Sequence, residues 1–392
     1  PQLQADLFVG NSGLSIRTLV PAIVTSLSGC GDAQAEVRLS GVPRMHERPI
    51  GDLVDALRQL GCSIDYLGNP GFPPLHIGHP TLAVDAPIQV RGDVSSQFLT
   101  ALLMALPLVA QKDIVIEVVG ELISRPYIEI TLKLLARFGV HVQRDGWQRF
   151  TIPAGCRLQS PGDIHVEADA SSASYFIALG AIATGATGQN SIRILGVGAD
   201  SIQGDIRFME AARQMGAHIE SGSNWLQVSR GSWPLKAIDL DCNHIPDAAM
   251  TLAVMALYAR GTTRLTNIAS WRVKETDRIE ALKKELKKVG YVIYDENDNT
   301  LIWDGETCEP SFEPIDTYED HRMALAFAPL AFKFPQIEIN NPEVVSKSYP
   351  HYWEDLKKVG FEIVEQGNFG LPGHGAYIQR ISAFLGGDPF AL

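Results

Sequence analysis

The chain has 392 residues, a formal net charge of −12 at pH 7, 45% hydrophobic and 20% charged residues. This describes an ordinary globular protein of two or three domains, with too acidic a balance for nucleic acid or an anionic membrane to be a good partner. No apolar run could span a bilayer, no secretory signal is legible, and the five cysteines (Cys30, Cys62, Cys156, Cys242, Cys308) form no C-x-x-C pair. The expectation is a reducing, cytoplasmic compartment, with no disulfide framework and no structural zinc.

Taken in chain order, the predicted elements repeat. A helix opens at Ser12-Gly13, and an amphipathic stretch over 52–60 runs into Leu60-Gly61-Cys62-Ser63-Ile64. The next helix opens at Ser95-Ser96-Gln97 with an apolar run over 98–108. A β-rich segment over 113–119 follows, then Phe138-Gly139-Val140-His141-Val142. A third start at Ala170-Ser171-Ser172 leads through a β-rich stretch over 191–195 to Met215-Gly216-Ala217-His218-Ile219. The fourth, Pro246-Asp247-Ala248, has apolar residues over 248–258, β-rich residues over 262–266 and a helical stretch over 279–288. It ends at Val289-Gly290-Tyr291-Val292-Ile293. The fifth opens at Asp320-His321-Arg322, passes a β-rich stretch over 336–339 and reaches Val359-Gly360-Phe361-Glu362-Ile363.

The five glycines are 78, 77, 74 and 70 residues apart. A glycine after the last apolar turn is a helix C-cap, and the β-branched residue beyond it starts a strand. So long and regular a period means one supersecondary unit repeated five times. Small polar residues before each apolar run are N-caps that leave backbone N–H groups free at the helix start. Any one of them reads as plain capping. Several in register point to a shared anion-binding cleft.

Two compositional features stand out. Residues 1–273 hold three lysines (Lys112, Lys133, Lys236), whereas 274–358 hold nine, which suggests sequences of different ancestry joined near 271–278. Residues 366–392 hold six glycines and no further copy of the unit, so this tail is expected to have little structure of its own, at least over 367–375.

The densest charge cluster is Trp271-Arg272-Val273-Lys274-Glu275-Thr276-Asp277-Arg278. Others are Asp320-His321-Arg322-Met323, Pro43-Arg44-Met45-His46-Glu47-Arg48-Pro49 and Asn243-His244-Ile245-Pro246-Asp247. A solvated helix entry is the ordinary reading of such clusters, but the 271–278 cluster lies on a loop that a repeat fold presents to one side, and each cluster has a charged residue just before an apolar helix, where a solvated face would normally come later. They supply cations (Arg48, Lys274, Arg278, Arg322, Lys347), two carboxylates (Asp247, Glu275) and donors (Ser95, Ser96, Gln97, Ser124, Tyr127, Ser171). Arginine binds carboxylate and phosphate through paired N–H bonds, and two carboxylates can divide acid and base roles. No metal-ligand spacing, Walker loop, nucleophile elbow or dinucleotide fingerprint occurs. Proton transfer on a multiply anionic substrate is what these residues suggest.

The chain resembles the 3-phosphoshikimate 1-carboxyvinyltransferases, the enolpyruvyl-shikimate-phosphate synthases of the shikimate pathway, which leads through chorismate to the aromatic amino acids. The resemblance rests on Gly10-Asn11-Ser12-Gly13, the 43–49 and 271–278 clusters, Ser95-Ser96-Gln97-Phe98-Leu99 and Asp169-Ala170-Ser171-Ser172-Ala173-Ser174-Tyr175. It rests also on Gln203-Gly204-Asp205-Ile206-Arg207, His244-Ile245-Pro246-Asp247-Ala248-Ala249-Met250 and Asp320-His321-Arg322-Met323, in family order over 7–364. It implies the two-lobed α/β enolpyruvyl transferase fold, built from six βαβαββ units that close over the substrates. Five units are visible. Residues 1–166 are expected to form an incomplete N-terminal lobe of two units, 167–364 a C-terminal lobe of three, and 365–392 a Gly-rich tail. The family's opening Gly-Ser-Lys-Ser motif does not occur, so the first unit is expected to be absent, with apolar surface laid bare around 19–23 or 99–108.

By the same resemblance, phosphoenolpyruvate would meet Gly13, Arg48, Gln97, Arg278, Arg322 and Lys347. Shikimate 3-phosphate would meet Ser95, Ser96, Gln97, Ser124, Tyr127, Asp247, Ser270 and Lys274. Asp247 would take the proton of the attacking hydroxyl and Glu275 would serve the methylene carbon. No cofactor or metal is implied, and a monomer is expected. Ser270 stands where the family commonly has asparagine, Leu14 where it has threonine and Thr18 where it has proline. Gly13 is also on the helix that lines the glyphosate site of the family, and Ser-Ser-Gln with this glycine resembles the glyphosate-sensitive class. Two other readings share these features: a UDP-N-acetylglucosamine enolpyruvyl transferase, and a catalytically impaired fragment or chimera that binds shikimate 3-phosphate weakly or not at all.

Overall fold

The repeated glycines mark the helix ends. A computed structural model of the chain describes residues 4–183, 191–334, 337–367 and 377–383. Ten α-helices form among them: α1 (Gly13–Ser28), α2 (Gly51–Arg58), α3 (Gln97–Ala105), α4 (Arg125–Arg137), α5 (Ala170–Ile182), α6 (Phe208–Met215), α7 (Ala249–Met255), α8 (Arg278–Lys288), α9 (His321–Phe327) and α10 (Tyr352–Lys358). Every even-numbered helix hands over to one of the five glycines. Gly61, Gly139, Gly216, Gly290 and Gly360 have φ of +90°, +84°, +116°, +97° and +102°. That left-handed backbone carries no penalty for a residue without Cβ and lets the chain turn from helix into strand.

Helix α8 shows why the sequence folds locally. The Asp277 side chain accepts the Glu280 N–H at 3.2 Å, Glu280 lies in the first turn, and Lys287 and Lys288 lie in the last. Both ends therefore complement the helix dipole. Ile279, Leu282 and Leu286 fall on one face and are buried.

The strands repeat one pattern of pairing. Gln4–Phe8 runs parallel to Glu36–Ser40, with α1 as the crossover between them. Glu36–Ser40 pairs antiparallel with Leu75–Ile77, which pairs antiparallel with Ile64–Tyr66. The same order recurs for Ile88–Arg91, Ile114–Val119, Arg149–Ile152 and Gln143–Asp145. It recurs again for Asp239–Asp241, Thr263–Thr266, Thr300–Trp303 and Tyr294–Glu296. In the last unit Tyr377–Ala383 pairs antiparallel with both Ile337–Asn340 and Phe361–Gly367. Residues 377–383 of the tail thus form the central strand of this sheet, which corrects the expectation of little structure for that stretch; 384–392 lie outside the described residues. Residues 368–376 lie outside the described residues.

The chain divides into two compact units. One holds the described residues through His165 together with Val273–Glu275; the other holds Val166–Arg272 and the described residues from Thr276 on. In the first, α1 packs on α3, and Ile16, Val20, Leu99, Leu102 and Leu103 belong to one buried core. Of the segments expected to expose apolar surface, Met104 and Leu108 are exposed, whereas Val20, Ile23 and Leu99 are buried. In the second unit α5, α7 and α9 pack on one another, and nearly every residue of these helices is buried. A helix apolar on all sides is a central helix. Among the described residues no helix is long and apolar enough to cross a membrane.

The glycine positions can be tested against one another. A Cβ on Gly139 would meet nothing nearer than 3.6 Å, whereas one on Gly61 would sit 2.0 Å from the Thr81 carbonyl oxygen. Gly139→Ala should therefore cost the left-handed strain alone, about 1–2 kcal/mol, and Gly61→Ala distinctly more. Urea unfolding of the two variants gives the comparison.

Candidate active site

In the first unit the site builds from the start of α1. The Ser12 hydroxyl accepts the Ser15 N–H at 3.2 Å and caps the helix. Gly13 is buried because the Arg48 guanidinium lies against its backbone; a Cβ there would stand 2.3 Å from Nη2. The 3₁₀ turn Pro43–Glu47, anchored by buried Met45, delivers Arg48, whose Nη1 donates to the Asn11 carbonyl at 2.7 Å. Asn11 Nδ2 donates to the Glu275 carbonyl at 3.5 Å, and Arg44 Nη2 to that of Lys274 at 3.2 Å. The segment carrying Lys274 and Glu275 is thus held within this unit.

One turn beyond Gly13, the buried Arg17 donates to the Ser95 hydroxyl at 3.1 Å and to Gln97 Oε1 at 2.9 Å from Nη1. From Nη2 it donates to the Pro49 carbonyl at 2.9 Å. Burial and the neighbouring Arg48 charge lower its pKa to about 9, against the opposing pull of Glu275. Its guanidinium is still charged at neutral pH. Ser95 and Ser96 are buried at the start of α3, and Gln97 is half-buried as its first residue. Ser124 precedes α4 with φ of +53°, a strained value for a residue with a Cβ, and Tyr127 lies in the first turn of that helix.

In the second unit a buried carboxylate organises the arginines. Asp320 is fully buried at the start of α9, where its Oδ1 accepts the Arg322 N–H at 3.0 Å. The same carboxylate accepts two bonds from Arg278, the first residue of α8, at 2.8 Å from Nε and 3.3 Å from Nη2. Arg278 Nη1 and Arg322 Nη2 each reach Asp247, one to each carboxylate oxygen, at 3.4 Å. Arg322 Nη1 donates to the Tyr175 hydroxyl at 2.9 Å. Burial pushes the Tyr175 pKa up to about 12 despite Arg322 beside it, so this phenol stays neutral. The Asp247 loop is fixed by Asp205, which accepts the Ala248 N–H at 3.2 Å, and by Trp271, whose indole donates to the Pro246 carbonyl at 2.9 Å. Ser270 lies on the 3₁₀ turn Ala269–Val273 that carries Trp271. Lys347 ends another such turn, Pro342–Lys347, and is exposed.

The charge cluster over 271–278 therefore separates into different tasks. Arg272 donates to Asp277, Glu280, Asp295 and Asp298, at 2.8–3.4 Å. Asp277 caps α8, and Arg278 turns inward to Asp320 and Asp247.

Set beside known proteins, residues 1–356 match the family model of EPSP synthase (3-phosphoshikimate 1-carboxyvinyltransferase). The chain belongs to the EPSP synthase family. It is 57% identical over 359 residues to the 3-phosphoshikimate 1-carboxyvinyltransferase of Cupriavidus necator, covering 90% of this chain and 80% of that one. It is 56% identical over 357 residues to that of Ralstonia pickettii, with the same coverage. Among solved structures, it is similar to EPSP synthase from Acinetobacter baumannii, with a TM-score of 0.66, 26% identity, and 91% of this chain and 79% of the other covered. It shares its fold with the enolpyruvyl transferase NikO from Streptomyces tendae, at a TM-score of 0.59 and 19% identity, covering 93% of this chain and 77% of that one. The expected two-lobed enolpyruvyl transferase fold is thus the fold of this family.

Sequence reading passed over three residues in these clusters. Arg17 carries no local signal, since it sits mid-helix in an apolar run. Tyr175 and Asp320 stood in quoted motifs, where each is equally well a core residue or a cap. Asp320→Ala would strand the buried Arg278 guanidinium without its main partner. It should destabilise the second unit by about 3–5 kcal/mol, readable by chemical denaturation.

Proposed function

We propose that the residues described above carry out the reaction of the family, transfer of the enolpyruvyl group of phosphoenolpyruvate to the 5-hydroxyl of shikimate 3-phosphate with release of phosphate. The observation that carries this reading is Asp247, one carboxylate gripped at both oxygens by two arginines in a chain that matches the family over residues 1–356. Its two guanidiniums hold it in one orientation, as a positioned base requires.

The steps then run as follows. Asp247 accepts the proton of the 5-hydroxyl as that oxygen bonds to C2 of phosphoenolpyruvate. Glu275 supplies a proton to the methylene carbon, giving a tetrahedral intermediate. Loss of phosphate breaks the bond between C2 and the phosphate ester oxygen, the hydroxyl proton held by Asp247 leaves with it as hydrogen phosphate, and the methyl group returns a proton to Glu275, which restores the vinyl group. Arg278, Arg322, Arg48 and Lys347 receive the carboxylate and phosphate charges of phosphoenolpyruvate, and Gly13 and Gln97 also meet that substrate. Ser95, Ser96, Gln97, Ser124, Tyr127, Ser270 and Lys274 bind shikimate 3-phosphate. No cofactor takes part. The same reading takes the chain as a cytoplasmic monomer with neither nucleic acid nor membrane as partner.

The rival UDP-amino-sugar chemistry depends on a cysteine acid on a mobile loop. Burial raises the Cys62 thiol to about 12 and the Cys242 thiol higher still, which suits core packing rather than proton donation.

Phosphate release with both substrates, above that with either alone, tests the proposal; its absence would overturn it. Asp247→Asn and Glu275→Gln should each lower kcat by roughly 10²–10⁴-fold with little change in substrate binding. Arg322→Ala should chiefly raise the phosphoenolpyruvate KM. Gly13→Ala should do the same without removing any charge, because its methyl group would displace the Arg48 guanidinium.

A further inference from the structure

We infer that Arg17 is a positioning residue that makes Ser95 and Gln97 obligatory hydrogen-bond donors toward the oxygens of an anionic substrate. The inference rests on the binding role proposed above for Ser95 and Gln97, and adds to it the group that sets their polarity.

A hydroxyl has one hydrogen to give and two lone pairs to fill. Both lone pairs of Ser95 are taken, by Arg17 Nη1 at 3.1 Å and by the Gln97 backbone N–H at 3.2 Å. Only the O–H remains to meet a ligand, and it can only donate. The side-chain amide of Gln97 could in principle turn either way. Arg17 Nη1 removes that choice, since the atom 2.9 Å from it must be an acceptor. Oε1 therefore faces Arg17 and the NH₂ group is left for the ligand. One guanidinium nitrogen thus sets the direction of two hydrogen bonds from neighbouring residues.

Arg17 is itself held so that this polarity does not relax. Nη2 donates to the Pro49 carbonyl at 2.9 Å, and the guanidinium carbon lies 4.9 Å from the centre of the Phe98 ring. The three acceptors hydrogen-bonded to it are uncharged. The Glu275 carboxylate attracts this charge without a hydrogen bond to it, and a buried charge whose bonded partners are all neutral keeps an attraction for a further anion. A phosphate that accepts from Ser95 and Gln97 would answer that attraction, and a ligand group that can only donate would be rejected.

Binding of shikimate 3-phosphate and of shikimate to the full chain, measured by titration calorimetry, tests this with Arg17→Ala, Ser95→Ala and the double variant. Arg17→Ala should weaken shikimate 3-phosphate by at least about tenfold, the loss of a charge-assisted arrangement, and shikimate by much less. Ser95→Ala should cost little more once Arg17 is gone, because the two act through one bond. Gln97→Glu, which can accept from Arg17 but not donate to the ligand, should match Arg17→Ala. Arg17→Lys should recover part of the affinity, and it carries the same comparison if Arg17→Ala does not fold. Equal losses for both ligands, or full additivity of the Arg17 and Ser95 substitutions in folded protein, would overturn the inference alone. A parent chain that binds no shikimate 3-phosphate would overturn the proposed function and this inference together.

Discussion

The second unit depends on one fully buried carboxylate. Asp320 caps α9 through the Arg322 N–H and grips the side chain of Arg278 at two points. Taking a carboxylate and a guanidinium out of water costs several kcal/mol each, and only good geometry offsets it. Here the geometry follows from the fold. The starts of α8 and α9 supply the arginine and the carboxylate, so the pair forms when the two helices dock. Asp247 is then met by Arg278, whose side chain Asp320 holds, and by Arg322, whose side chain Tyr175 holds.

The repeat was legible in the sequence because it depends on backbone conformation. A left-handed residue after each even-numbered helix calls for glycine whatever surrounds it, and all five glycines have that conformation. Four of the five strands that follow an odd-numbered helix were legible for a similar reason, since alternation of β-branched residues needs only one buried face; Glu36–Ser40 after α1 was not. The strand at Tyr377–Ala383 was hidden. Its neighbours are glycine-rich, and its pairing with Ile337–Asn340 and Phe361–Gly367 is a tertiary fact.

The site was legible where charge is out of place in an apolar context. Arg278, Arg322 and Asp247 each adjoin a run of core residues, and the structure joins them by hydrogen bonds. The residues that support them could not be read in this way. Tyr175 looks like packing until Arg322 is found on its hydroxyl, and Arg17 looks like a helix interruption until Ser95 and Gln97 are found around it. Charge density alone does not mark a site residue: Arg272, in the densest cluster but not among the expected cations, is engaged by four carboxylates of its own unit.

An acidic chain with a formal charge of −12 must concentrate positive potential locally if it is to receive an anion. Two devices do this. Arg278 and Arg322 stand in the first turns of α8 and α9, where the helix dipole is already positive. Cations there would repel the helix ends, and Asp320 and Asp247, one carboxylate for each arginine, offset that charge and hold it in place. In the first unit the device is different. Arg17 is set among a hydroxyl, an amide and a carbonyl, so its charge is oriented by hydrogen bonds without being cancelled by them. The first arrangement holds a carboxylate in place, and the second favours retention of a positive field. The proposed reaction, which must bind a phosphate ester and also deprotonate a hydroxyl, would draw on both.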